Sequence, residues 1–478
     1  MMLERGGHAA EAALLLTRVE LRTGNPQDAL SVLARYAPSS PANAQKAEVA
    51  MLKGAAFARL GDSASAMQHF KTAEKLDSND ALRAELLCHI AAAHWMERDI
   101  NKALASLDAL PADLGLDIRL HAGILRGAIA SAQGFLAQQG ALLLGASSEI
   151  RDEVPDVYLY AILTTNIAAL AVELPSAELR DAALHHVDRV AWTADIADQH
   201  FHALRALAWR SALEGDGFNA FRRLKQALSV TLSPAWRVAA LTDRAYLADA
   251  LGERQWAAQE LRDARELAAT IDWGAIAGEE KLALPVLAEL FAPRDPSVAI
   301  AYIATFQRVG HNYPRVLSSN RDVRVEALEQ YALGRVQLAL GERDEARRLL
   351  TAAWEIYERL GIRWRAGRAA LALAEISDPV MWRSRAEEAL APYPQSWLAR
   401  GNLPTRTSVA PSRALDRLTP AQRLVLELLV DGRSTEEITS KLGRSEFTVR
   451  NHIKALFKAY GVNSRAALIV KSTQRQDF

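Results

Sequence analysis

The sequence predicts an all-α protein built from a long array of helical hairpins followed by a small helical domain. Half of the 478 residues are hydrophobic and only 6% are aromatic, and alanine and leucine dominate, which favours helices over strands. A pattern of small and large residues around glycine recurs along the first 390 residues. Beyond a proline-rich stretch, start and stop signals of short helices follow one another closely.

The recurring pattern is centred on a turn residue, usually glycine. A small residue stands seven positions before the turn, alanine five after it and a large apolar residue nine after it. In residues 54–77 the turn is Gly61, with Gly54 before it and Phe70 after it. The same frame fits turns at Gly24, Arg98, Gly215, Gly252 and Gly341. Glycine ends the first helix in a left-handed conformation, and the small residues let two helices approach closely.

One hairpin cannot bury its apolar face alone, so neighbouring hairpins are expected to stack into a solenoid. The array resembles the tetratricopeptide repeat, although its 37-residue steps exceed the usual 34. The matching positions are Gly54, Gly61, Ala66, Phe70 and Ala73. Prolines interrupt the frame in residues 140–200 and 270–325, where we expect irregular helical hairpins. These are Pro155, Pro175, Pro285, Pro293, Pro296 and Pro314.

Residues 391–417 are predicted to link the tetratricopeptide-like domain, 1–390, to a separate domain, 418–478. The segment contains four prolines together with serine, threonine, glycine and asparagine, a composition that argues against regular structure. We therefore expect a linker across which the C-terminal domain can reorient.

The C-terminal segment carries the signals of four short helices. Thr419 with Gln422 and Ser434 with Glu437 form two capping boxes, and single serines cap the other two helices. The caps are Thr419, Ser434, Ser445 and Ser464, and the glycines that stop the first three helices are Gly432, Gly443 and Gly461. A tight turn between the second and third helices is typical of a helix-turn-helix.

The third helix has one apolar face and one basic face. Arg450, Lys454 and Lys458 are spaced four residues apart and share a stripe, with Asn451 beside it. In the DNA major groove, arginine and lysine contact guanine or phosphate, and asparagine pairs with adenine. Residues 411–478 carry 12 Lys/Arg against 7 Asp/Glu, whereas residues 1–410 carry 45 against 50. This asymmetry is expected when only the C-terminal part meets a polyanion.

Residues 418–472 closely resemble the LuxR/GerE-type helix-turn-helix domain of bacterial transcriptional regulators. The matching residues are Leu418-Thr419-Pro420, Val425-Leu426, Leu428-Leu429, Gly432, Ser434, Glu437-Ile438, Leu442, Ser445, Thr448-Val449-Arg450, His452-Ile453, Gly461-Val462 and Asn463-Ser464-Arg465. The resemblance implies that Glu446–Tyr460 is the recognition helix, with Arg450, Asn451 and Lys454 facing the bases. It also implies that Ser434 and Thr448 touch phosphate.

The resemblance further implies that the last helix, Ser464–Lys471, helps to pair two such domains. Its candidate dimerisation residues are Ala467, Leu468 and Lys471. Glu436 replaces the family's usual lysine, and Glu446 lies close to the proposed DNA face. These two acidic residues predict modest affinity for a single module, and hence binding as a homodimer or a higher oligomer.

The leading hypothesis is a cytoplasmic, sequence-specific regulator of transcription that binds double-stranded promoter DNA. A peptide, a small molecule or a protein is expected to bind the solenoid, unless the solenoid serves assembly alone. The alternative is a helical-repeat scaffold for protein interactions with a vestigial DNA-binding module, which Glu436 and Glu446 favour.

The sequence predicts no enzyme activity, cofactor, metal site or membrane span. It contains no nucleotide-binding phosphate loop, H-E-x-x-H or G-x-S-x-G motif, and no run of 18 apolar residues. The spacing of four histidines fits no metal-ligand signature, so solenoid packing is favoured. These are His185, His186, His200 and His202. The ten tryptophans are interpreted as packing between helices, with a ligand groove as the alternative, and Cys88 as a buried, inert thiol.

Overall fold

The computed structural model describes most of the chain as helix. The described residues are 9–23, 25–36, 43–76, 79–97, 99–150, 156–193, 196–231, 233–276, 279–310, 323–402, 418–431, 433–460, 462, 465 and 468. No strand occurs among them. The predicted all-α class is therefore confirmed. Contacts divide the chain into two compact units, residues 1–203 with 313–323 and residues 204–312 with 324–478.

The described residues of the first unit form five helical hairpins. Its helices are α1 (Ala9–Thr23), α2 (Pro26–Tyr36), α3 (Asn43–Arg59), α4 (Ser63–Glu74), α5 (Asp80–Met96), α6 (Ile100–Asp108), α7 (Leu116–Ala132), α8 (Leu136–Ser148), α9 (Val157–Glu173) and α10 (Ala177–Val187), and α11 (Ala197–Leu213) begins in it. Each odd-numbered helix packs on the next odd-numbered helix, and α9 also contacts α1. The five odd-numbered helices of this unit therefore close into a ring.

Local sequence explains the hairpin of α3 and α4. Gly61 ends α3 with a φ of 81°, and Asp62 caps α4 by accepting a hydrogen bond from the Ser65 N–H at 3.0 Å. A Cβ at Gly54 would lie 2.4 Å from Phe70 Cε1, and the Phe70 side chain is fully buried. Glycine is thus required where the ring of α4 meets the backbone of α3.

The described residues of the second unit also form helical hairpins, followed by three helices near the C-terminus. Its helices are α12 (Gly217–Val230), α13 (Pro234–Ala250), α14 (Arg254–Ala268), a 3₁₀ helix (Glu279–Leu282), α15 (Ala283–Phe291), α16 (Pro296–Gly310), α17 (Val323–Leu340), α18 (Arg343–Leu360), α19 (Arg363–Ala374), α20 (Pro379–Leu390), α21 (Trp397–Asn402), α22 (Pro420–Val430), α23 (Thr435–Leu442) and α24 (Glu446–Tyr460). The predicted turn glycines Gly215, Gly252 and Gly341 all have φ between 81° and 86°.

The repeat pattern did not predict one hairpin, which α7 and α8 form. Gly134 (φ 85°) turns the chain between α7 and α8, and Gly127 faces Leu143 as the frame requires. The frame does not fit this hairpin in the sequence because the buried Gln139 occupies the position where the frame expects alanine. Gly24 and Arg98, two other predicted turns, lie outside the described residues.

The expectation of irregular hairpins was wrong for α9 and α10, which pack as an ordinary pair. Pro175 lies in the turn between them, and Pro296 is the first residue of α16. Proline lacks an N–H but is tolerated in turns and in a first helical turn, where that N–H has no helical acceptor. The second zone is less regular, since a 3₁₀ helix precedes α15; Pro155 and Pro314 lie outside the described residues.

Part of the predicted linker is ordered. Residues 397–402 form α21, which packs on α19 and α20, and Tyr393 and Leu398 are buried. Burial of these apolar side chains stabilises the segment, although Pro392 and Pro394 disfavour regular structure there. Residues 403–417 lie outside the described residues.

Candidate nucleic-acid interface

The helices α22, α23 and α24 begin at the caps that the sequence predicts. In the first capping box, the Thr419 N–H donates to Gln422 Oε1 at 2.8 Å. In the second, the Ser434 N–H donates to Glu437 Oε2 at 2.7 Å, and the Glu437 N–H donates to Ser434 Oγ at 3.1 Å. Such caps satisfy N–H groups that have no partner inside the helix, which fixes where each helix starts.

The turn between α23 and α24 is set by Gly443 and Ser445. Gly443 has a φ of 57°, and its N–H bonds back to the end of α23. Ser445 Oγ accepts a hydrogen bond from the Thr448 N–H at 3.2 Å and lies 2.8 Å from Thr448 Oγ1. The two helices are therefore joined by the tight turn of a helix-turn-helix.

A single core holds these helices together. It is formed by Leu418, Val425, Leu426, Leu428, Leu429, Ile438, Leu442, Val449, Leu456, Tyr460 and Leu468. Because Val449, Leu456 and Tyr460 anchor one face of α24 in this core, the opposite face points outward. Arg465 and Leu468 are helical where the fourth helix is predicted, while Ala467 and Lys471 lie outside the described residues. Leu468 is fully buried, so it packs inside its own domain.

The outward face of α24 carries the predicted DNA-binding residues. Arg450, Asn451, Lys454 and Lys458 are all exposed. Ser434, at the start of α23, is exposed, and Thr448 is half-buried in the first turn of α24. The structure therefore brings the basic stripe, the amide and the two hydroxyls onto the surface of one helix-turn-helix.

Two features of this surface modify the sequence-based picture. Glu446 accepts hydrogen bonds from Arg450 Nε at 3.0 Å and from an Arg450 terminal nitrogen at 2.6 Å, and 71% of the Arg450 side chain is exposed. Glu446 thus neutralises the first cation of the stripe in the absence of DNA. Phe447 is 75% exposed, which the sequence analysis did not single out. The available signal was its phase, since Phe447 falls off the apolar face of α24.

The C-terminal helices pack directly against the repeats of the same unit. Phe218 of α12 enters the core of the helix-turn-helix domain. An Arg423 guanidinium nitrogen donates to the Gly215 carbonyl at 2.8 Å, and Lys225 pairs with Asp431. At the tight turn, Arg444 lies 3.4 Å from Glu253 Oε2. The packing uses α22, α23 and the turn, and it leaves the basic face of α24 exposed.

Glu427 of α22 is buried by this packing. Its side chain lies among the charges of Arg244, Lys225, Lys441 and Asp431, and burial raises its pKa to about 7. Arg244 opposes this shift and Asp431 adds to it. The folded protein therefore binds a proton here that the unfolded chain, with an ordinary glutamate, releases near pH 4.5.

Stability is expected to depend on pH through Glu427. Its protonated form stabilises the fold fully below about pH 4.5, and this contribution is lost as the pH rises through about 7. Glu427→Gln should therefore raise the melting temperature relative to the wild type, more at pH 8 than at pH 5. The gain in the free energy of unfolding should be at most about 3 kcal/mol. Thermal unfolding by circular dichroism measures this. Glu436→Gln, which changes an exposed glutamate, is the control, and an equal effect of both substitutions would contradict the assignment.

The histidines and the cysteine outside the C-terminal helices take part in ordinary packing. His186 Nδ1 shares a hydrogen bond with Tyr160 Oη at 2.8 Å, and His200 stacks on Trp192 with ring centroids 4.4 Å apart. Within the described ranges, no group of three His, Cys, Asp or Glu side chains is placed to hold a metal ion. Cys88 is buried, and burial raises the pKa of its thiol to about 12. No helix in the described part of the chain has the length and apolarity needed to cross a membrane.

Comparison with known proteins identifies the C-terminal helices. Residues 416–472 match the family described as bacterial regulatory proteins, luxR family. Over 54 residues the chain is 46% identical to the spore germination protein GerE of Bacillus subtilis. The matched residues make up 11% of this chain and 73% of that protein. Over another 54-residue match it is 44% identical to the transcriptional regulatory protein MctR of Rhizobium johnstonii, covering 11% of this chain and 25% of MctR. The chain therefore belongs to the luxR family of bacterial regulatory proteins, through a DNA-binding regulator domain at its C-terminal end.

Proposed function

We propose that this protein regulates transcription by binding specific sequences of double-stranded promoter DNA through α24. The observation that carries the proposal is the exposed stripe of Arg450, Lys454 and Lys458, with Asn451 beside it, on the outer face of a capped helix-turn-helix. An α-helix fits the major groove, where each base pair presents a distinct pattern of donors and acceptors. Arg450, Asn451 and Lys454 contact base edges in this proposal, and Lys458 contacts phosphate.

Phosphate contacts position the helix. The Ser434 and Thr448 hydroxyls lie at the N-terminal ends of α23 and α24, where backbone N–H groups and the helix dipole favour an anion. The exposed ring of Phe447, one turn before Arg450, is placed for apolar contact with a thymine methyl group. Phosphate contacts supply most of the affinity in this proposal, and base contacts supply the specificity.

The repeats hold the DNA-binding domain and receive the signal. Phe218, Arg423 and the Lys225–Asp431 pair attach the domain to the repeats, so a change in the repeats reaches it through packed side chains. We propose a homodimer or higher oligomer in the cytoplasm, with half-sites about 34 Å apart or a multiple of that distance. Ala467 and Lys471 remain the candidate dimerisation residues. No catalytic step forms part of this function.

A salt titration tests the proposal. The full chain is mixed with fluorescent genomic DNA fragments, and the binding constant is measured by anisotropy at several salt concentrations. Because each cation that neutralises a phosphate releases counterions from the duplex, log K should fall linearly as log salt rises, with a slope of about −0.9 for each phosphate contacted. Folded protein that shows no salt-dependent binding would contradict the proposal.

The same measurement decides the alternative, a repeat scaffold with a vestigial DNA-binding module. The pairing of Glu446 with Arg450 favours this alternative, because it withdraws a cation from the DNA face. Glu436, exposed on α23, adds a negative charge near the proposed phosphate contacts. A scaffold would show binding that is weak and equal for all DNA fragments, even after repeated selection for bound sequences.

A further inference from the structure

The space that the odd-numbered helices enclose is filled in one unit and open in the other. In the second unit, side chains of these helices fill it with an aromatic and charged cluster. Arg368 is buried, lies 3.0 Å from Glu289 Oε2 and donates to Tyr246 Oη at 3.1 Å. Its guanidinium also lies 4.1 Å from the centre of the Tyr331 ring. Large side chains thus occupy the space between the odd-numbered helices of this unit.

In the first unit, the corresponding space is a cavity of about 420 Å³. The helices α1, α3, α5, α7 and α9, which close into a ring, all contribute residues to its wall. Its volume falls within the range of about 300–1,000 Å³ typical of small-molecule sites. We call it the inner cavity. A solenoid that was selected only for packing would be expected to fill such a space, as the second unit does.

Most of the wall is apolar. Leu21, Leu52, Leu116, Ile118 and Leu159 supply its aliphatic part. Three arginines, three acidic residues and two histidines interrupt this surface. In a site for a small organic molecule, the apolar part of the wall provides affinity and the polar groups fix orientation.

The carboxylates of the wall already have partners. Both oxygens of Glu85 accept hydrogen bonds from Arg18, at 2.8 and 2.9 Å. Asp117 pairs with Arg22 through one oxygen and accepts the Asp156 N–H at 2.8 Å through the other. Asp156 Oδ1 caps α9 by accepting the Leu159 N–H. These acidic groups therefore have little capacity left to hold a cationic ligand.

Arg59 has hydrogen-bond donors in excess. Only 13% of its side chain is exposed, and Tyr158 holds its guanidinium at 4.3 Å from the ring centre. Of its five N–H donors, one bonds to the Leu21 carbonyl and another points to Asp156 Oδ2 at a long 3.5 Å. The described residues accept no further hydrogen bond from Arg59. Because Arg59 lines the cavity, a ligand bound there can supply acceptors for the remaining donors.

Two imidazoles lie beside Arg59 and add donors without adding charge. His89 and His121 pack edge to face with ring centroids 5.4 Å apart. Burial, reinforced by Arg59 and Arg18, lowers the pKa of His89 to about 3, and burial lowers the pKa of His121 well below its ordinary value. Both rings are therefore neutral at pH 7, and each offers one N–H. Arg59 therefore presents a positive charge to the cavity, whereas the two imidazoles present none.

We propose that the inner cavity binds a small organic carboxylate, with its carboxylate on Arg59 and its apolar body against the leucines of α1, α3 and α9. A guanidinium forms paired, charge-assisted hydrogen bonds with a carboxylate, which gives both affinity and orientation. This inference deepens the proposed sensing role of the repeats, since it names the site and the chemical class of the signal.

Calorimetric titration of the full chain at pH 7 tests the proposal. The probes are phenylacetate, indole-3-acetate and hexanoate, each at up to about 10 mM, tenfold above a Kd of about 1 mM. Phenylacetamide keeps the ring but removes the charge, and inorganic phosphate keeps an anion but removes the apolar body. We expect at least one carboxylate to bind, and phenylacetamide and phosphate to bind at least tenfold more weakly.

Two variants locate the binding. Arg59→Gln is expected to weaken the bound carboxylate at least tenfold. Arg126→Gln should leave it unchanged, because Arg126 of α7 bonds to Asp108 and the Leu107 carbonyl instead of lining the cavity. If Arg59→Gln fails to fold, the comparison of phenylacetate with phenylacetamide on the wild type decides the question.

Three results would overturn the proposal: no heat with any of the carboxylates, equal binding of carboxylate and amide, or equal weakening by both variants. None of these measurements contains DNA. Failure here would therefore leave the DNA-binding function standing, and failure of DNA binding would leave the cavity result unaffected.

Discussion

Replacing Arg450 with alanine is expected to weaken binding of the full chain to its selected duplex by about tenfold to 100-fold. A well-placed arginine contact to guanine is worth about 1–3 kcal/mol, and each 1.4 kcal/mol is a factor of ten. The fold should not suffer, because Arg450 is 71% exposed and its partner is the exposed Glu446. Such surface pairs contribute about 0.3–0.5 kcal/mol.

The measurement is fluorescence anisotropy at fixed salt, with circular dichroism to confirm that the variant is folded. Arg347→Ala is a matched control, since Arg347 forms the same kind of exposed ion pair with Asp344 on α18. An unchanged Kd for Arg450→Ala, or an equal loss with Arg347→Ala, would refute the assignment of the outer face of α24 to DNA.

Glu446 provides a substitution with the opposite sign. Because its carboxylate holds Arg450 and repels phosphate, Glu446→Gln should tighten DNA binding by roughly threefold and make its salt dependence steeper. Combined with Arg450→Ala, most of this gain should disappear, since the guanidinium that Glu446 restrains is then absent. Additive effects of the two substitutions would show that Glu446 acts independently of Arg450.

The second large effect is expected in the repeats. Phe70→Ala should destabilise the first unit by about 3–5 kcal/mol, because the ring is fully buried between α3 and α4. Gly54→Ala should also destabilise, since its Cβ would lie 2.4 Å from the ring. In the Phe70→Ala background the same Cβ has space, so Gly54→Ala should cost much less there.

Urea unfolding of the full chain, followed by circular dichroism, measures these differences in the transition of the first unit. Gly145→Ala in α8 is the control, because no atom lies within 4 Å of the Cβ it would add. It should be neutral or stabilise by up to about 1 kcal/mol. Equal costs of Gly54→Ala in both backgrounds would mean that the glycine serves the backbone instead of the contact with Phe70.

The sequence by itself determined the features that arise within a few residues along the chain. Thr419 and Ser434 mark helix starts because the cap and its partner lie three residues apart. Gly61, Gly215 and Gly443 mark helix ends because glycine adopts positive φ at little cost. The spacing of Arg450, Lys454 and Lys458 fixed the basic face, since helical geometry places residues four apart on one side.

Only the tertiary structure decided which surfaces meet and which spaces stay open. No local pattern indicates that α9 contacts α1, that Phe218 joins the core of the C-terminal domain, or that Glu427 is buried there with a raised pKa. The burial of Tyr393 and Leu398 in a proline-rich segment likewise depends on residues that are distant along the chain. Burial, and with it the free energy of a charge or an apolar group, is set by residues distant in sequence. The capped helix-turn-helix was therefore predictable, whereas its packing on the repeats and the inner cavity were not.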